Sequence, residues 1–213
     1  MDRTDSLAGQ LFLLAYDTKK QRLVSRSELG YALRAAALAD LVLGGYLVDE
    51  RGKAAPAGPA PALDPVLEEI LAEIGGTSPR SWKRWVGRHR HTMVPAVREQ
   101  LAADRVIRVE SSRVLGLFPV HRVTLRHPHE VRRVSEEVRR VVRGGQPTFR
   151  VEARLGALCA LAGAAELRTV LSRAERRQYK TRLAELGRPV EPVITALRKA
   201  IQAQRAAAAS GGG

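Results

Sequence analysis

At 213 residues, with 45% hydrophobic and 27% charged residues, the chain has the composition of an ordinary globular protein with room for one sizeable core. A net charge of +14 favours an anionic partner, whether nucleic acid, phospholipid head groups or acidic protein. A single cysteine excludes a disulfide framework and a thiolate metal site, and the longest uncharged apolar run, Leu155 to Ala165, falls far short of the ~20 residues that span a bilayer.

In chain order, Asp2 and Asp5 flank Arg3 where a secretory signal needs a basic and then apolar start, so a cytoplasmic location is expected. The apolar run Leu11 to Ala15 and a polar turn lead into a helix. Ser25 to Glu28 has capping-box spacing, Leu29, Leu33, Ala36, Ala37 and Leu41 recur at helical intervals, and Gly44-Gly45 suits a left-handed cap before a strand-like Tyr46 to Val48. Within this helix Arg34 has no carboxylate three or four residues away. It either reaches water or a carboxylate across the fold, or it holds an anion.

Arg51 to Ala62 alternates Ala, Pro and Gly and reads as a flexible loop, extending to about residue 63. Asp64-Pro65 starts a helix through about Ile74, and Ser78-Pro79 repeats that grammar. Trp82 and Trp85 lie on one helix face among Lys83, Arg84, Arg88 and Arg90, either as core or as an interface. Pro95 is expected in the first turn of the next helix, which turns Val97, Leu101 and Ala102 inward and leaves Arg98 beside them.

A strand pair follows from Val106, with its tip expected near Ser111 to Arg113. The apolar run Val114 to Val120 then breaks strand alternation, so that Leu115, Leu117 and Phe118 are core or project into a partner or a bilayer interface. Residues 80–143 carry sixteen Lys and Arg against six Asp and Glu, so the positive field is regional. Part of it lies on a helix from Pro128 to Val142, in which arginines alternate with Glu136 and Glu137. Three bundle helices are expected at Val151 to Ala164, Glu166 to Leu186 and Val190 to Gln204, with 206–213 a disordered tail and Cys159 a small buried hydrophobe.

No nucleophile elbow, phosphate-cradling glycine loop or dinucleotide fingerprint is present, so no catalytic residue or cofactor is assigned and a non-enzymatic role is expected. His89 and His91, and His127 and His129, are two apart; on helices that spacing sends side chains to different sides, so no metal site is expected.

Several of these segments carry a resemblance. The order of LFLLA, a turn and YALRAAALADLVLGGYLVDE, then VREQLAADRVIRVE with VLGLFPVHRVTLRHP, then EARLGALCALAGAAELRTVL, resembles actinobacterial-type members of the Golgi phosphoprotein 3 family from about Leu11 to about Ala203. That resemblance implies one mainly α domain over 1–205, a helical bundle with short β-hairpins. It also implies a peripheral membrane protein that binds phosphatidylinositol 4-phosphate in a basic pocket, inserts a hydrophobic hairpin and sorts membrane enzymes through their cytoplasmic tails.

Arg34 and Arg98 match the family's pocket arginines, and Arg88 and Arg90 are candidates to supplement them. Ser25 stands where the family has a pocket tryptophan and Pro95 where it has a further arginine, which bears on phosphoinositide specificity. The expected partner is therefore an anionic phospholipid membrane on its cytoplasmic face, with oligomerisation open. The rival is nucleic acid, because a helix followed by a basic hairpin also resembles a winged helix.

Overall fold

The computed structural model describes residues 6–24, 26–58, 62–114 and 118–210, with side chains described except at 26 and 111–121. Helix α1 (Leu7–Leu14), capped by Ser6, leads through a two-residue antiparallel pair, β1 (Tyr16–Asp17) and β2 (Arg22–Leu23), into α2 (Arg26–Leu43). The expected α2 stripe is fully buried, but so are Ala32, Ala35, Leu38 and Ala39 on its other sides. A helix that is apolar all round belongs inside a core. Its alanines let neighbours approach closely, and α1, α3 (Pro65–Gly75), α4 (Trp82–Gly87) and α5 (Arg90–Ala103) pack around it.

The stretch read as a loop is partly sheet. Strand β3 (Leu47–Glu50) pairs with β4 (Lys53–Pro56), and β5 (Arg80–Ser81) adds to β4. Arg51 and Gly52, at φ 53° and 80°, form a two-residue turn with both centres left-handed, the geometry that suits a tight hairpin. Ala54 and Ala55 are buried, so small residues that look like linker composition serve close packing. Residues 59–61 lie outside the described residues.

Helix α3 starts at its Asp64 cap as expected. The next helix does not start at Pro79: Arg80 and Ser81 complete the sheet before α4 begins. Helix α5 begins at Arg90, so Pro95 lies inside the helix rather than in its first turn. The break that sets this start is His89, whose left-handed backbone (φ 51°) separates α4 from α5.

After α5, strands β6 (Ile107–Val114) and β7 (Phe118–Leu125) pair only with each other among the described residues. The tip expected at Ser111 to Arg113 falls within β6, in register with Pro119 to His121. Helix α6 (Pro128–Arg143) buries Val131, Val138, Val141 and Val142 and ends at Gly144.

Helix α7 (Ala153–Ala164) runs through the core, and Cys159 is buried there as expected. Glu166 to Leu186 is not one helix. Glu166 takes a left-handed backbone (φ 53°), Leu167 N–H returns to Ala162 O at 3.1 Å, and buried Leu167, Val170 and Leu171 then close a turn in which Val170 and Leu171 N–H donate to Leu167 O at 3.1 and 3.0 Å. A capping box of Ser172 and Glu175 restarts the chain as α8 (Arg173–Gln178), followed by α9 (Lys180–Leu186) and α10 (Glu191–Ser210). The α10 helix continues through the alanines expected to fray, since alanine has the highest helix propensity. The fold is mainly α with short hairpins, and one buried cluster runs from Leu7 to Ile201.

Candidate functional site

Arg34 is buried at 3% exposure, and its charge has a partner across the fold: Nη2 donates to Glu73 Oε2 of α3 at 2.7 Å and Nε to Trp85 O at 3.4 Å. Of the two readings open for this side chain, ion pairing is the one observed. Glu73 is shared, because Arg88 donates to its Oε1 and His89 Nε2 lies 3.1 Å from the same oxygen. Burial raises the carboxyl's proton affinity, yet hydrogen bonds from Arg88 and Arg34 outweigh it and hold Glu73 below its ordinary value. Two guanidinium groups and an imidazole thus share one carboxylate.

Both tryptophans are core: Trp82 and Trp85 are 4% and 0% exposed, the Trp82 indole donating to Asp49. What reaches the surface is the basic rim they support. Arg88 lies over the Trp85 ring at 6.0 Å and Arg90 over Tyr31 at 4.9 Å, while Arg90 Nη1 donates to Gly87 O at 3.3 Å. A Cβ at Gly30 would overlap the Arg90 carbonyl oxygen, so a glycine on α2 lets the start of α5 close onto it and fixes where Arg90 emerges.

Arg98 is half-buried on α5 and takes no part in the Glu73 cluster. The structure therefore joins Arg34 and Arg88 through Glu73, places Arg90 on the adjoining rim, and leaves Arg98 separate from that ion-pair network. Ser25 lies outside the described residues. Helix α5 buries Met93, Val97 and Leu101 and exposes His91, Thr92, Glu99 and Ala103, a face poor in groups that could follow phosphates.

The hairpin is held at its base: Ile107, Val123 and Leu125 are buried, Tyr16 Oη donates to Val123 O at 2.9 Å, and Arg122 Nη2 donates to Gln21 Oε1 at 3.1 Å. Leu115 and Leu117 lie outside the described residues, and Phe118 is placed only as the first residue of β7. His127 and His129 do not diverge as their spacing suggested. His127 precedes α6 with non-helical backbone, so its ring meets that of His129 edge-on at 5.8 Å, and with Glu130 their ligand atoms lie within 4.8 Å of one another.

One basic feature escaped the sequence reading. Arg173, Arg176, Arg177 and Lys180 converge with Arg168 and Arg198 around a cleft between the link after α7 and α8 to α10. A census by segment hid it, because acidic residues elsewhere in the chain offset these cations. The spacing 173, 176, 177, 180 is the signal that could have found it.

No helix among the described residues is long and apolar enough to cross a membrane. A buried alanine-rich helix ringed by others, basic rims and one long hairpin define a mainly α protein. Residues 7–204 match the profile of Golgi phosphoprotein 3 (GPP34), nearly the whole chain, and the protein belongs to that family. A comparison with curated proteins found no match.

Proposed function

We propose that the protein is a peripheral membrane protein that binds anionic phospholipid head groups on the cytoplasmic face of a membrane, as a binding protein and not an enzyme. The observation that carries the reading is the β6–β7 hairpin. Its strands are eight residues each, about 26 Å of extended chain, pair with no other strand among the described residues, and are joined by the sequence Leu115-Gly116-Leu117. A hairpin that adds nothing to a sheet is free to serve as an apolar contact, and Leu115, Leu117 and Phe118 are its membrane-inserting residues.

Charge completes the attachment. Arg88, Arg90 and Arg98 meet the head group, each basic residue near an anionic leaflet contributing about 1 kcal/mol. Arg34 acts from behind them, holding Glu73 and through it the orientation of Arg88. Family membership supports phosphatidylinositol 4-phosphate or a related phosphoinositide as the head group, and an adaptor role toward the cytoplasmic tails of membrane enzymes; Ser25 and Pro95 favour a broader anionic preference.

Flotation with vesicles containing or lacking anionic lipid tests this, run beside a DNA shift assay at matched salt. Binding to anionic vesicles alone is expected, with Arg98→Ala and Arg90→Ala each weakening it by about 1 to 3 kcal/mol. Binding to DNA but not to anionic vesicles would reverse the assignment.

A further inference from the structure

The cleft beside α10 is a second basic site, and it shares no residue with the rim of Arg88, Arg90 and Arg98. It is an open volume of about 580 Å³ with a small apolar floor of Gly163, Ala164, Leu183 and Ile201. Its walls carry seven Arg and Lys side chains against one carboxylate, Glu166.

That carboxylate is already engaged. Arg205 Nη1 donates to it at 2.9 Å and Arg176 Nη2 lies 3.7 Å away, while Arg205 also reaches both oxygens of Glu28 on α2 at 2.6 and 2.9 Å. The Arg205 hydrogen bond, together with the charges of Arg176 and Arg168, holds Glu166 below its ordinary value. Five cations remain: Arg168, Arg173, Arg177 and Lys180, all exposed, and Arg198, half-buried. Among the described residues none of the five has a carboxylate within ion-pair distance. Arg176 registers the crowding: burial lowers its proton affinity first, and the charges of Arg168, Arg173 and Arg205 lower it further against the pull of Glu166.

Cations gathered around one concavity repel each other, and an anion entering it removes that repulsion as well as gaining its own contacts. A single monoanion occupies one or two guanidinium forks and leaves the others unneutralised. The volume is that of a small-molecule site, larger than one phosphate requires, and the apolar floor suits a carrier between charged groups.

We propose that this cleft binds a compact ligand bearing two or more phosphate groups. Arg168, Arg173, Arg177, Lys180 and Arg198 contact it, and Glu166 positions Arg176 and Arg205 behind them. The ligand is either free in solution or the polyphosphorylated head group of a lipid.

Calorimetric titration of the full chain with inorganic tripolyphosphate, against sulfate at matched ionic strength, tests the site. Tripolyphosphate is expected to bind and sulfate to bind at least tenfold more weakly. Arg173→Ala/Arg177→Ala changes two exposed side chains, so the fold should persist by circular dichroism, and it is expected to weaken tripolyphosphate binding tenfold or more. Lys53→Ala, which removes an exposed cation on β4 outside both basic sites, is expected to leave it unchanged. Vesicles containing a polyphosphorylated lipid distinguish the sources: weaker flotation of the double variant identifies a head group, and unchanged flotation beside lost tripolyphosphate binding identifies a free ligand. No tripolyphosphate binding, equal binding of sulfate, or an equal loss with Lys53→Ala would each overturn the proposal.

Discussion

At the scale of single residues, two buried charges show how this core handles ions. Arg34 is compensated by Glu73, so its burial costs less than an unpaired guanidinium would. Asp40 is less fully compensated. It accepts Leu7 N–H at 2.8 Å and meets Arg154 at 2.6 Å, tying α1 and α7 to α2, yet burial outweighs both partners and raises its pKa from 3.8 to about 6. A carboxyl that holds its proton more tightly when folded stabilises the fold fully below pH 3.8, and that contribution is lost as pH rises through about 6. The shift corresponds to roughly 3 kcal/mol. Glu73, Glu166 and Glu175 have the opposite sign, since their folded values are lowered and their stabilisation is lost only as pH falls below the ordinary glutamate value of 4.5. Urea denaturation between pH 4.5 and 6.5 should therefore show wild-type stability falling with rising pH, and Asp40→Asn should flatten that fall. An unchanged slope in the variant would mean that Asp40 is ionised throughout this range.

At the scale of elements, the close approach of α2 and α5 links packing to the basic rim. Gly30→Ala places a methyl against the Arg90 carbonyl, which is backbone and cannot rotate away, so the helices must separate. A loss of about 1 to 3 kcal/mol in unfolding free energy is expected, the range for overpacking, together with weaker binding to anionic vesicles as Arg90 shifts. Loss of stability without loss of binding would detach Arg90 from the site. How far the elements were legible follows from which forces set them. Helices α2, α3 and α6 could be read directly because periodicity, Asp64 and the glycines Gly44, Gly45 and Gly144 act locally. Strand β4 could not, because Ala54 and Ala55 become strand only by pairing with β3 and β5 and by burial under α3. The break at Glu166 was invisible for a related reason: a left-handed glutamate carries no local signature, and the turn is fixed by burying Leu167 and Leu171. At the site, Arg34 could be singled out by its lack of a helical partner, but Glu73 lies 39 positions away and only the fold brings it there.

At the scale of the molecule, charge and apolar contact act through different physics and can be separated by salt. In the proposed attachment the basic rim and the +14 net charge draw the protein toward an anionic leaflet, an attraction that weakens as the Debye length falls from ~10 Å at 0.1 M salt to ~3 Å at 1 M. Burial of apolar side chains from the β6–β7 connection is not screened. Leu117→Ser/Phe118→Ser should therefore lower vesicle binding at every salt concentration while leaving the slope of binding against salt as in wild type. The loss is roughly 1.5 to 3 kcal/mol per side chain if each is fully buried in the bilayer interface. Charge substitutions on the rim should do the reverse, reducing the slope most and converging with wild type at high salt. The hairpin base is anchored by Tyr16, Ile107 and Leu125, so the double variant should keep its circular dichroism spectrum and its unfolding midpoint. A variant that unfolds would assign Leu117 and Phe118 to the core. One that folds and floats like wild type would leave the attachment to charge alone, with a slope steep enough that high salt releases the protein completely.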